Sequence, residues 1–292
     1  MKPSKFHYHA PTTVADAVGL LGEYADEAKV LAGGQSLVPM MSLRLATFGH
    51  LVDLNGIDEL SGIERSNGHV RVGALTRQST AEHDPTVSAD VPLAAKALPH
   101  IGHFQIRNRG TVGGSIAHAD PASELPAVAL ALDATLAAAG PGGERDIGAA
   151  DFFEGTWQTA LADDEILVAI RFPVWGGRSG FAVEEVARRH GDFAICGAVC
   201  GVELDGDTVV RAAIAMFGVG GTPVRASAAE QALVAASAGA DLATVDLAAI
   251  GGEAAAPLTP SADIHASAAY RKQITAVVVR RALSKAIEEA RS

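Results

Sequence analysis

Cysteine is scarce: Cys196 and Cys200 are the only two in 292 residues. Two thiols cannot build a disulfide framework, and such usage fits a reducing compartment. Positive charge is short as well, with 23 Lys plus Arg against 34 Asp plus Glu and a formal charge of -11. Nucleic acid and anionic membrane surfaces both require a basic footprint, so neither is expected as the main partner. No apolar run reaches the length of a membrane span, and the opening MKPSKFHYHAPTT lacks the apolar core of a signal peptide. These absences lead to the expectation of a soluble, cytoplasmic protein. Apolar residues, at 48%, suffice for a substantial core. The length is about twice that of a usual single domain, so one large domain or two to three smaller ones are expected.

Along the chain, PTTVADAVGLLGEYADE reads as a helix capped by Thr12 or Thr13, with Val14, Val18 and Leu21 at helical spacing. AKVLA and HLVDLNG read as strands, and SLVPMMSLRLA as a turn or short helix. HVRVG starts with period-two alternation and runs into a helix opened by Thr76 or Ser79; VPLAAKALPHIG is a helix bounded by prolines. ATLAAAGPGGERDIGAADFFEG is a hairpin around Gly140 to Gly143, and EILVAIRFPV a strand. Beyond Pro173 three segments, GFAVEEVA, AICGAVCGVEL and TVVRAAIAMFGV, suit an antiparallel meander, and Ala-rich helices close the chain. Breaks are placed near 55 and 173, giving segments 1–55, 56–173 and 174–292.

Two glycine pairs follow extended segments: AKVLAGGQSLVP at 28–39 and RGTVGGSIAHADPASELP at 109–126. Neither glycine turn contains Lys or Arg, and neither is the G-x-G-x-x-G of a dinucleotide fold or the G-K-S/T of a phosphate loop. Backbone N–H groups at a turn or helix start can hold a diphosphate without cationic side chains. Close approach of that backbone requires residues without Cβ. Gly33-Gly34 and Gly113-Gly114 suit the task, each followed by a hydroxyl (Ser36, Ser115). Gly114 is expected to be the most sensitive position of the second loop. Either pair alone also reads as an ordinary turn, as does GVGGTPVRA at 218–226.

AGGQSLVPMMSLR, RNRGTVGGSIAHADPASELP, ARRHGDFA and YRKQITAVVVRRAL occur together and in this order. The set resembles the FAD-binding middle subunit of the molybdenum hydroxylases, the group of carbon monoxide dehydrogenase and xanthine dehydrogenase, over essentially the whole chain. The resemblance implies an α+β architecture: a two-subdomain FAD-binding fold like that of vanillyl-alcohol oxidase, then a small antiparallel sheet with helices. It implies a non-covalent FAD gripped at its diphosphate by both loops. Carried over by position, Ala32, Gly33, Gly34, Gln35, Ser36 and Leu37 form the first loop, and Thr111, Gly113, Gly114 and Ser115 the second. Glu124, where the family usually has Asp, falls at the adenosine or its ribose. Ile101 and Leu167 are apolar walls or core residues, and Phe193 lies near the isoalloxazine. Glu184 stands where some relatives have a Lys near the flavin.

Such enzymes also need a molybdopterin centre and two 2Fe-2S clusters, which call on about eight cysteine ligands. Cys196 and Cys200 read as core residues of a strand, and no histidine set suggests a metal site. The resemblance therefore puts those cofactors on a large molybdopterin-binding subunit and a small 2Fe-2S subunit, assembled as a dimer of heterotrimers. His118 either neighbours the flavin or supports its loop. Arg107 and Arg109 either lend charge to the diphosphate or make surface ion pairs. The expected role is electron transfer from the partner's clusters through FAD to an external acceptor: NAD, a quinone or a carrier protein. The alternatives are a free-standing FAD-dependent oxidoreductase acting on a small organic substrate, and a nucleotide-binding scaffold without redox chemistry.

Overall fold

A computed structural model describes residues 2–292. The first sheet is parallel, in the order β1-β3-β2, with β1 at His7–His9, β2 at Ala28–Leu31 and β3 at His50–Asp53. Parallel strands need crossover connections, and the helix Val14–Tyr24 supplies the one that carries the chain from β1 past the place of β3 to β2. Thr13 is its cap, the Oγ1 accepting from the Asp16 N–H at 3.1 Å. Ala17, Val18 and Leu21 form its buried stripe.

The second sheet contains β4 (Ile63–Ser66), β5 (His69–Gly73), β6 (Thr135–Gly140), β7 (Gly143–Gly148) and, after the small hairpin of β8 (Phe153–Gly155) and β9 (Gln158–Thr159), β10 (Ile166–Pro173). Its order is β4-β5-β10-β6-β7, antiparallel throughout. Both faces are covered, and the period-two rule shows which residue serves which. Leu136, Ala138, Ile170 and Phe172 join the core under helices Pro92–Ala97, Val112–His118 and Glu124–Ala131. Ala137, Ala139, Ile166 and Val168 join Ala17, Leu21 and Val52 on the other side. The N-terminal unit is thereby fixed to the middle of the chain.

The third sheet is the expected meander of β11 (Arg178–Val186), β12 (Cys196–Asp205) and β13 (Thr208–Phe217), with a short β14 (Val224–Arg225) at its edge. Cys196, Ala198, Cys200 and Val202 face the helices Ser227–Ser237, Leu247–Ala255 and Ala268–Arg291. Val199, Ala213, Ala215 and Phe217 face the middle core. Both thiols are free and buried. Burial pushes Cys196 up to about 11 and Cys200 further, so both stay protonated.

The helix Gln78–His83 is capped neither by Thr76 nor by Ser79: its N-cap is Arg77. The Thr76 hydroxyl instead donates to the Gly62 carbonyl and accepts from the Gly62 N–H, both at 3.0 Å. Among the described residues no helix is long and apolar enough to cross a membrane.

Candidate functional site

The two glycine pairs look alike in sequence and differ in structure. In the first loop β2 ends at Leu31, and the Ala32 carbonyl accepts from Asn55 Nδ2 at 2.8 Å. Gly34 has φ +73°, a left-handed backbone that glycine adopts without cost. The Gln35 amide reaches back to the Gly33 carbonyl at 3.3 Å. Ser36 precedes the helix Leu37–Ser42, and its side chain makes no capping bond. The N–H groups of residues 33–37 donate to no group among the described residues. Buried or half-buried N–H groups left in this state call for an acceptor. This loop is an open cradle of donors.

The donors of the second loop are already taken. Thr111 caps the helix Val112–His118, with Oγ1 accepting from the Gly114 N–H at 3.1 Å. The Val112 N–H donates to the Thr76 carbonyl (2.9 Å), that of Gly113 to the Ala74 carbonyl (2.8 Å) and that of Ser115 to the Thr111 carbonyl (3.1 Å). A Cβ on Gly113 would lie 2.6 Å from the Ala74 Cα, so this glycine serves backbone packing. Gly114 does not have a positive φ. A Cβ there would meet the Thr111 hydroxyl at 2.5 Å and the Ala32 Cβ at 3.3 Å. The tighter backbone fit in this loop is therefore at Gly113 rather than Gly114. The second loop approaches the first at Gly114, beside Ala32.

The loops touch. A Cβ on Gly33 would run into the Arg109 carbonyl and lie 2.8 Å from the Gly110 Cα. Between them sits Arg77, which belongs to neither glycine motif. Its Nη1 donates to the Arg109 carbonyl and its Nη2 to Asn55 Oδ1, each at 2.6 Å. Sequence reasoning missed Arg77 and Asn55 as site residues, since an isolated Arg and an Asn-Gly turn carry no motif. Arg107 is committed elsewhere: it is buried, forks onto Glu82 at 2.6 and 3.0 Å, and donates to the Ile101 and Gly102 carbonyls. It is a buried ion pair that pins the 101–102 turn, and Arg109 stays exposed.

A second grouping forms beside that turn. Ile101 is half-buried, and Gly191 packs so closely that a Cβ would lie 2.8 Å from His103 Cε1. Phe193, two residues on, is 66% exposed. Glu124 opens the helix Glu124–Ala131 with only 6% of its surface exposed, and burial pushes its carboxyl up to about 8. At neutral pH it is protonated and able to donate. Next to Ile101, His100 bonds Glu185 at 3.2 Å, which raises its pKa against the opposing effect of burial.

Leu167, at 5% exposed, lies in the core with Val112 and Ile116 of the second-loop helix. Glu184 is paired with Lys285 from the last helix. His118 is stacked on Trp157 at 6.1 Å, and burial lowers its pKa. The structure thus joins the two loops to each other and Ile101 to the Phe193 turn, and sets Leu167 beneath the second loop.

Residues 4–175 match the family described as the FAD binding domain in molybdopterin dehydrogenase, and residues 181–286 the CO dehydrogenase flavoprotein C-terminal domain. The chain is 40% identical over 292 residues to the 6-hydroxypseudooxynicotine dehydrogenase complex subunit alpha of Paenarthrobacter nicotinovorans, covering 100% of this chain and 97% of the relative. It is 38% identical over 286 residues to the carbon monoxide dehydrogenase medium chain of Hydrogenophaga pseudoflava, covering 98% of each. Among solved structures, the carbon monoxide dehydrogenase of Hydrogenophaga pseudoflava that lacks the Mo-pyranopterin moiety of its cofactor superposes with a TM-score of 0.95 at 40% identity, covering 99% of both chains. Quinoline 2-oxidoreductase of Pseudomonas putida 86 gives 0.93 at 35% identity, covering 100% of both. The chain belongs to the FAD-binding medium subunits of the carbon monoxide dehydrogenase and xanthine dehydrogenase family of molybdenum hydroxylases.

Proposed function

We propose that this chain is the flavin-bearing electron-transfer subunit of a heteromeric molybdenum hydroxylase. FAD, when bound, supplies a redox centre able to take electrons from a partner's 2Fe-2S clusters and yield them to an external acceptor. The observation that carries the reading is the cradle of N–H groups at residues 33–37, which fits a diphosphate and has no other partner among the described residues. Gly33 brings the loops together, Gly34 turns the backbone, and Ala32, Gln35, Ser36 and Leu37 frame the donors. Thr111 and Ser115 add hydroxyls from the second loop, and Gly113 and Gly114 let that loop approach. Ile101 and Phe193 flank the flavin end. Glu124, held neutral by burial, serves as a hydrogen-bonding partner for a ribose or adenine group. Leu167 supports the second loop from the core.

Cys196 and Cys200 are both buried in the third sheet, so the chain's own thiols hold no cluster. The relatives' names, "complex subunit" and "medium chain", support partners that do. These are a large molybdopterin-binding subunit and a small 2Fe-2S subunit, in a cytoplasmic dimer of heterotrimers. The three sheets support a division near residues 55 and 173 into two FAD-binding subdomains and a C-terminal domain. Affinity purification of the tagged chain from its native cells tests the assembly. The expected result is co-purification of a Cys-rich chain and a molybdenum-containing chain, with one FAD per tagged chain released by acid. A yellow protein that purifies without either partner contradicts it.

A further inference from the structure

We infer that Arg77 is a positioning residue that sets the spacing of the two glycine loops around the FAD diphosphate; this rests on the FAD reading above. Its guanidinium ties the carbonyl of Arg109, two residues before Thr111, to the side chain of Asn55. Asn55 passes the tie on, its Nδ2 donating to the carbonyl of Ala32, the first residue of the other loop. Asn55 is itself held by Asp53 Oδ1, at 2.9 Å from its backbone N–H and 2.5 Å from Nδ2. Asp53 accepts from the Tyr8 hydroxyl at 2.6 Å. One continuous chain of hydrogen bonds therefore runs from β1, past the end of β3, to the start of loop one and the approach to loop two.

Three features separate this arrangement from an incidental surface contact. The distance it controls is the one that matters, because Gly33 already lies against the Arg109 carbonyl that Arg77 holds. Arg77 and Thr111 also form an antiparallel bridge, so the backbone beside the guanidinium is registered on the cap residue of loop two. Finally, Arg77 forms no ion pair among the described residues, whereas Arg107 close by is neutralised by Glu82. Its bonded partners are a carbonyl and an amide, and the Asp53 carboxylate acts on it only from beyond Asn55. Both bonds leave one planar fork, which a lysine cannot reproduce.

The test uses the full chain as it purifies, with any accompanying partners, stripped of flavin. It is titrated with FAD and, in competition, with ADP, at a temperature well below the melting point of each variant. Arg77→Met is expected to weaken FAD and ADP by the same factor, roughly 10- to 100-fold, the effect of losing hydrogen bonds from a charged donor. Arg77→Lys, which keeps the charge without the fork, should lose nearly as much. Asn55→Ala should also weaken both, and the Arg77→Met/Asn55→Ala pair should be no worse than the stronger single variant, since both break one chain. A role confined to folding would lower the melting temperature and leave these affinities unchanged.

Variants that bind FAD like the wild type overturn the inference, as does full rescue by Arg77→Lys, which would make charge rather than position the cause. Loss of FAD affinity without loss of ADP affinity also overturns it, because the effect would then lie away from the diphosphate. A wild-type chain that binds no FAD sinks the underlying reading and this inference together, an outcome distinct from the others.

Discussion

At the scale of single residues, glycine is required for different reasons at positions that look equivalent. Gly34 is needed for its backbone angle, Gly113 for its fit against Ala74, and Gly33 because a Cβ would meet the Arg109 carbonyl. Gly33→Val should therefore part the loops and lower FAD affinity by at least roughly tenfold, about 1.4 kcal/mol. Gly220→Val is the control: its Cβ would come no closer than 3.4 Å to Thr222 O, and flavin content should not change. Flavin absorbance per chain after desalting separates the two, and equal retention would refute the assignment of the first loop. Glu124 gives a prediction about pH. An unfolded glutamate loses its proton around 4.5, while the folded one keeps it to about 8. Between those values the folded state binds more protons, so this group's contribution to stability falls as pH rises and levels off above 8. Glu124→Gln, neutral throughout, should gain on the wild type by up to about 1.4 kcal/mol per pH unit across that window. Urea melts of the flavin-free protein at pH 5, 6.5 and 8 measure it, and a gap independent of pH would show that the carboxyl ionises normally.

At the scale of elements, the second-loop helix depends on its cap. Thr111→Ala removes the acceptor for the Gly114 N–H and should cost about 1 kcal/mol in a denaturant melt, while Thr111→Ser should retain most of it. Equal losses for the two would show that the hydroxyl bond contributes nothing. The same local rules explain which elements could be read from the sequence. The helix Val14–Tyr24, strand β10 and the meander β11-β12-β13 have long periodic apolar patterns, and they form where those patterns lie. Strand β4 escaped because it is an edge strand in which only Ile63 is even half-buried, so it shows no alternation. Strand β14 has two residues and no pattern to show. The helix start at Gln78 was misjudged because Thr76, a good capping residue, is used across the chain by Gly62. At the site, the loops were legible as local motifs, with their glycines and hydroxyls in order. Their unequal hydrogen bonding was not, since it depends on Ala74, Thr76 and Arg77 from another part of the chain. Distant partners leave no local trace.

At the scale of the whole molecule, the parallel sheet, the five-stranded sheet and the meander are joined by shared cores. Both faces of the central sheet are covered, one by the N-terminal helix and the other by the helices that carry the second loop and Glu124. The loops thus rest on two different units that cannot move independently without opening those cores. Such a scaffold suits a subunit whose task is to hold a cofactor at a fixed place between donor and acceptor. The central claim is that oxidation of the organic substrate happens elsewhere and that this chain only relays electrons. It is tested most directly by following flavin absorbance near 450 nm, anaerobically, in the purified chain free of partners. On addition of small aldehydes, N-heterocycles or carbon monoxide the account predicts no bleaching, with full bleaching by dithionite and substrate-dependent bleaching only once the iron–sulfur and molybdenum subunits are restored. Bleaching of the isolated chain's flavin by any of those substrates would contradict it.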